Sequence, residues 1–258
     1  MAADVPKVTI SNGSQTMPLP VIGLGTATHP QVSETTKSAI LDAIETGYRH
    51  FDTAFIYGSE QPLGEAIAEA IKTGLIKSRD ELFITSKLWC SFASSELVVP
   101  AIKTSLKEII FQTHTCTYTF ISGEVKRLPI PEETIFPIDM KAVWEVMEEY
   151  QNLGLTKAIG VSNLSTRRLD ELLSFAKIPP SVSQTIKKVS LRWVYEPGVS
   201  FVPKSFNKDT MKQNLEIFDW SLTEEELNKI SKLPQRKGVP PSMIMEPNDL
   251  MREIVAEI

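Results

Sequence analysis

Gly47-Tyr-Arg-His-Phe-Asp-Thr-Ala-Phe-Ile-Tyr-Gly-Ser-Glu60 is the stretch whose reading decides the fold. It predicts a short strand over 48–51, then a loop, then a helix. Asp52 stands where the strand ends, and Tyr57 follows five residues later, just before the helix. In a cylinder of alternating strands and helices, chemistry is carried at the C-terminal ends of strands. Taken singly, neither residue says much. An Asp at a strand end is commonly a turn or cap residue, and a lone Tyr is commonly a rim aromatic.

Glu81-Leu-Phe-Ile-Thr-Ser-Lys87 changes that reading. It predicts a second strand, apolar in its middle and ending in a lysine. A buried ammonium without a partner is costly, and Asp52 can pair with Lys87. An ammonium beside a phenol also eases release of the phenolic proton, which makes Tyr57 a workable donor. Asp52, Tyr57 and Lys87 on successive strand ends form an acid catalyst suited to carbonyl reduction.

The rest of the chain alternates in the same way. Val8 to Ile10, Asn12-Gly13 and a short polar run predict a hairpin with a type I′ turn. Residues 21–26 form a strand with Gly23 and Gly25 in it. A helix begins at Ser33, carries Ile40, Leu41 and Ile44 inward, and stops at Gly47. The next carries Leu63, Ala66, Ile67, Ala70 and Ile71 and stops at Gly74. Ser95 caps a third, with Ile102 and Leu106 inward. Residues 107–122, rich in Thr, Ile, Phe and Tyr, can form a strand on propensity. Asp139 caps a helix bearing Val143, Val146 and Met147. A strand over 156–161 leads to Ser162 and Asn163, and Leu169, Leu172 and Leu173 mark a further helix. A short strand over 182–184 passes straight into a helix. A last strand over 199–203 leads into Lys204-Ser-Phe-Asn207. Thr223-Glu-Glu-Glu226 is a capping box for a final helix, followed by a Pro-rich tail.

The bulk numbers agree with one barrel domain over residues 1–258, with 42% apolar residues for its core. A formal charge of −5 gives no general attraction to nucleic acid or anionic lipid. Two cysteines make no disulfide framework, and no His/Cys cluster has metal-ligand spacing. The N-terminus lacks the apolar run of a signal peptide, and no run approaches the ~18 residues of a membrane span. A cytoplasmic monomer is therefore expected, with no nucleic-acid or membrane partner and no metal.

The motifs resemble the aldo-keto reductase superfamily, in the plant branch containing codeinone reductase and the chalcone (polyketide) reductases. The likeness rests on Gly23-Leu-Gly-Thr26, the 47–60 stretch, Leu63-Gly-Glu-Ala-Ile67, Ile84-Thr-Ser-Lys-Leu-Trp89, Ala158-Ile-Gly-Val-Ser-Asn163 and Val202-Pro-Lys-Ser-Phe-Asn207. It implies an α/β fold, a (β/α)8 TIM barrel whose hairpin plugs the bottom, and NADPH as cofactor. It implies Asp52, Tyr57 and Lys87 as catalytic residues. Thr26 and Asp52 would border the cofactor. Ser162, Asn163 and Gln184 would hold the nicotinamide carboxamide. Lys204 and Ser205 would grip the 2′-phosphate, Phe206 and Asn207 would also contact the cofactor, and Asn214 would meet adenine. Trp89 and Phe120 would face a small hydrophobic carbonyl substrate.

Three departures stand against that likeness. The family's carbonyl-orienting histidine is replaced by Phe120, while His114 lies six residues early. On the order of 60 residues are missing after Gln184, more than the ~30 of one strand–helix unit. The family's partner arginine near Lys204 is Thr210 here. Two readings follow: an NADPH-dependent carbonyl reductase, or an impaired relic from a truncated gene product that at most binds dinucleotide.

Overall fold

Lys7–Ser11 (β1) and Thr16–Pro20 (β2) pair antiparallel, with Ser11 opposite Thr16. Four residues therefore bridge them, so the loop is longer than the expected two-residue turn. Asn12 closes it by accepting from the Gln15 N–H at 2.7 Å, and Gly13 supplies a positive φ of 91°. The hairpin is tied down from Asn12, which donates to the Lys157 carbonyl and accepts from Gln151. Lys157 immediately precedes a barrel strand, so the hairpin sits at the N-terminal end of the cylinder.

The structure is a computed structural model. It describes residues 5–13, 15–28, 32–109, 116–121, 139–162, 164, 166–184, 200–219, 221 and 223–224. Six parallel strands follow one another around the wall: Leu24–Gly25 (β3), His50–Asp52 (β4), Phe83–Leu88 (β5), Cys116–Ile121 (β6), Ala158–Ser162 (β7) and Ser183–Gln184 (β8). The segment 200–203 lies along the free side of β3, through a parallel bridge between Ile22 and Phe201. Gly23 and Gly25 donate to the carbonyls of Phe201 and Pro203 at 2.9 and 3.0 Å. The described residues thus hold seven neighbouring strand positions of the barrel. The expected passage from strand to helix after Gln184, and His114, lie outside the described residues, as do the final helix beyond Glu224 and the tail.

Helices Ser33–Thr46 (α1), Glu60–Lys72 (α2), Ser95–Glu108 (α3), Met140–Asn152 (α4), Thr166–Phe175 (α5) and Lys208–Leu215 (α6) complete the pattern. Gly47 ends α1 at φ 114°, its N–H returning to the Ala43 and Ile44 carbonyls. Asp139 caps α4 by accepting from the Ala142 N–H at 3.0 Å, as its position predicts. Among the described residues no helix is long and apolar enough to cross a membrane.

Several expectations need correction. The strand expected over 48–51 lies at His50–Asp52, because Tyr48 leaves the wall to pack beneath α6 and donates to the Met211 carbonyl at 3.3 Å. Ser94, not Ser95, holds the N-cap position of α3, without a side-chain cap bond. Ile71 is 39% exposed, since it sits beside rather than on the buried stripe of its helix. Helix α3 runs to Glu108, so only Cys116–Ile121 of the Thr-rich stretch is described as strand.

Candidate active site

In a parallel sheet, Cα partners share a face and alternate residues along a strand return to it. Gly25 pairs with Asp52, and Asp52 with Thr85. Lys87, two residues on, pairs with Thr119, and Thr119 with Gly160. Ser162, two residues beyond Gly160, pairs with Gln184. Asp52, Lys87, Ser162 and Gln184 therefore occupy one face of the wall at its C-terminal end. Phe120 pairs with Leu88 and Val161, so Thr119 and not Phe120 is level with Lys87.

Asp52 and Lys87 are 4% and 2% exposed, and the ammonium donates to the Asp52 carboxylate. It also donates to the Thr53 carbonyl at 3.0 Å. The ion pair answers the cost of burying either charge. Tyr57 ends a single 3-10 turn, Phe55–Tyr57, whose Gly58 adopts φ 58° so that the chain can swing into α2. That turn brings the phenol ring over the lysine, with the ammonium 4.8 Å from the ring centre. The half-buried tyrosine, the lysine and the aspartate expected to act together are brought together.

A chain of hydroxyls holds this end of the wall. Ser59 bonds both Thr26 and Thr53 at 2.7 Å, and Thr26 donates to the Asp52 carbonyl at 3.0 Å. Thr26, expected beside the cofactor, is fully buried with its hydroxyl engaged in this way. Below the ion pair lies His50, hydrogen-bonded to Thr85 at 3.2 Å. Its imidazole fills space that a side chain at Gly23 would need, since a Cβ there would come within 2.7 Å of the ring. Burial pushes this histidine down to about 4, with the Asp52 carboxylate opposing, so it is neutral at pH 7.

The donor set at the end of segment 200–203 fits a phosphate. Lys204 is exposed, with its ammonium 5.3 Å from the centre of the Phe206 ring. Ser205 bonds the backbone of Asn207, and Asn207 caps α6 by accepting from the Thr210 N–H at 3.0 Å. A cation and a hydroxyl beside a helix start suit a phosphate group. Lys208, the next cation along, is drawn away to Asp42 and Glu45 of α1 at 3.1 and 2.6 Å. Thr210 leans on Asn207 instead. Asn214 faces the Tyr48 hydroxyl, whose pKa burial raises to about 12. Ser162 is 4% exposed at the end of β7, and Asn163 lies outside the described residues.

Around the mouth the surface is aromatic. Phe55, 37% exposed, meets Phe92 edge to face with ring centres 5.1 Å apart, and Trp89 is half-buried. Sequence reasoning missed Thr53, Ser59, Glu60, Ser86 and Ser105. Glu60 is fully buried, and its carboxylate accepts from Ser86 and, at 3.1 Å, from Ser105. The one signal available was a glutamate at the first turn of a helix beside a strand that ends in lysine.

Residues 21–187 match the Aldo/keto reductase family. The chain is 45% identical over 318 residues to D-galacturonate reductase of Fragaria ananassa, covering 99% of this chain and 100% of that protein. It is 41% identical to NADPH-dependent codeinone reductase 1-4 of Papaver somniferum, over 94% of each. Both comparisons run longer than the 258 residues here, so those relatives carry segments that this chain lacks. Among solved structures, an aldo-keto reductase of Bombyx mori in complex with NADP superposes with a TM-score of 0.78 at 28% identity, covering 90% of this chain and 93% of that one. The strand-end arrangement, the sequence matches and the superposition agree: the chain is a TIM-barrel member, shorter than these relatives, of the aldo/keto reductase family of NADP-dependent oxidoreductases.

Proposed function

We propose that the chain reduces a ketone or aldehyde to the alcohol with NADPH, and that Tyr57 is the proton donor. The reading is carried by Lys87, whose ammonium is held by Asp52 and the Thr53 carbonyl while facing the Tyr57 ring at 4.8 Å. Among the described residues, two of its three N–H donors are used in this way. NADPH, when bound, supplies a hydride to the carbonyl carbon. Tyr57 gives its proton to the oxygen that becomes negative, which completes the alcohol. Lys87 then steadies the phenolate, and Asp52 keeps Lys87 in place. Lys204, Ser205 and the amides at the start of α6 would hold the 2′-phosphate. Ser162 and Gln184 would hold the carboxamide. Phe55, Phe92 and Trp89 favour an apolar carbonyl compound over a charged one.

A second reading, a dinucleotide-binding relic without turnover, is favoured by β6. Level with Lys87 it offers Thr119, with Phe120 next to it, and neither can polarise a carbonyl as an imidazole would. Tryptophan fluorescence during NADPH titration, followed by addition of an aromatic aldehyde, separates the two. Saturable quenching followed by loss of reduced-cofactor absorbance supports the reductase. Quenching with no such loss supports the relic.

A further inference from the structure

Glu60 is the one fully buried carboxylate that the reduction described above leaves unused among the described residues. It opens α2, three residues after Tyr57, and touches two other elements. Its carboxylate accepts from Ser86, the residue before Lys87 on β5, and from Ser105 of α3 at 3.1 Å. The close approach of α2 to α3 that allows this depends on Gly64. A Cβ there would come within 2.3 Å of the Glu108 carbonyl.

Mere packing does not call for a carboxylate here. Burying one is expensive, and a well-packed apolar or amide side chain fills the same space at less cost. What an acceptor with two strong oxygens provides is a rigid link among three elements. Burial raises the Glu60 pKa, the two serine hydroxyls and the Lys87 charge pull it back down, and Glu108 of α3 adds to the rise. The adjoining Ser59 performs the matching task for β4, through Thr53. Residues 59 and 60 together therefore hold the neighbours of both Asp52 and Lys87, from the start of α2, just after the turn that carries Tyr57.

We infer that Glu60 is a positioning residue: through Ser86 it fixes the end of β5 so that Lys87 stays against Tyr57. This rests on the reading of Tyr57 as proton donor. Ser86→Ala and Ser105→Ala each remove one hydroxyl from the same carboxylate, but only Ser86 adjoins Lys87. In aldehyde reduction at saturating NADPH, Ser86→Ala is expected to lower kcat about tenfold with KM within about twofold, the loss of one well-placed interaction. Ser105→Ala is expected to keep kcat within about twofold while lowering the melting temperature as much as Ser86→Ala does. Glu60→Gln, whose amide still bonds both hydroxyls, should restore most of the kcat lost in Glu60→Ala. Equal kcat losses for the two serine variants, or losses that simply track melting temperature, would overturn the inference.

A readout without turnover separates its failure from that of the reductase reading. With 13C-labelled tyrosine, and the Tyr57 signal assigned from Tyr57→Phe, Ser86→Ala should move the Tyr57 resonance and Ser105→Ala should not. If the wild-type chain reduces no aldehyde, the reductase reading fails, while this spectrum still decides whether Glu60 sets the lysine against the ring. An unmoved Tyr57 resonance in Ser86→Ala overturns the positioning role.

Discussion

The Lys87 ammonium stands 4.8 Å from the centre of the Tyr57 ring, although the two side chains come from different strand–helix units. The contact exists because Asp52, at the end of the neighbouring strand, draws the lysine inward, and because a single 3-10 turn folds the tyrosine back over it. A buried ion pair and one tight turn are enough to bring an ammonium and a phenol ring together at the mouth of the barrel.

The Asp52–Lys87 pair should be costly to break from one side. Asp52→Asn or Lys87→Met leaves a buried charge without its counterion, and each is expected to cost about 3–5 kcal/mol in urea unfolding. The double variant should cost clearly less than the sum, because no lone charge is left. Additive losses would mean that the two residues do not share one buried site.

His50 gives a pH dependence with a defined sign. Its folded-state pKa is pushed down to about 4, below the ordinary value of 6.5. Between those values the unfolded chain binds the extra proton, so stability falls as pH drops from 6.5 to 4, by about 3 kcal/mol from this group. Above pH 6.5 the contribution is fully present. In urea unfolding at several pH values, His50→Gln should show a shallower decline across that window.

Two glycines should respond differently to alanine. At Gly64 a Cβ would meet the Glu108 carbonyl at 2.3 Å and the Ile109 backbone near 3.1 Å, so α2 and α3 must part. Gly64→Ala is expected to cost about 1–3 kcal/mol or more. At Gly74 nothing lies within 4 Å and only the φ of +76° resists. Gly74→Ala is expected to cost about 1 kcal/mol. Thermal melts of the two variants check the order.

Lys204→Ala should weaken NADPH binding about tenfold, the worth of a charge-assisted contact to phosphate. NADH binding should change little. The loss for NADPH should shrink at high salt, because the site is exposed. Equal losses for both dinucleotides would place Lys204 away from the 2′-phosphate.

Much of the site was legible because buried charge is self-announcing. A lysine ending an apolar strand requires a nearby acid, and Asp52 was the acid at the next strand end. Ser162 and Gln184 came only from the family resemblance, and it is the strand register that puts positions 162 and 184 on the face of Lys87. What escaped was everything held by hydroxyls. Ser59, Ser86 and Ser105 lie far apart in the chain, have no periodicity, and meet only once the strands and helices are packed. The bonds of the Thr26 hydroxyl to the Asp52 carbonyl and to Ser59 belong to the same set. Ile71 failed for a geometric reason, since a stripe read from helical spacing does not mark its own edge. The hairpin kept its place but not its turn, because Asn12 and Gly13 share a four-residue loop.

The most direct test is a single turnover of an aromatic aldehyde by the NADPH-loaded protein, wild type against Tyr57→Phe. Removing one hydroxyl leaves the ring in place, so folding and NADPH quenching should be unchanged. The rate of cofactor oxidation should fall by about 10²–10⁴, the usual worth of a positioned general acid. A Tyr57→Phe rate within a few-fold of wild type would contradict the assignment of Tyr57 as proton donor.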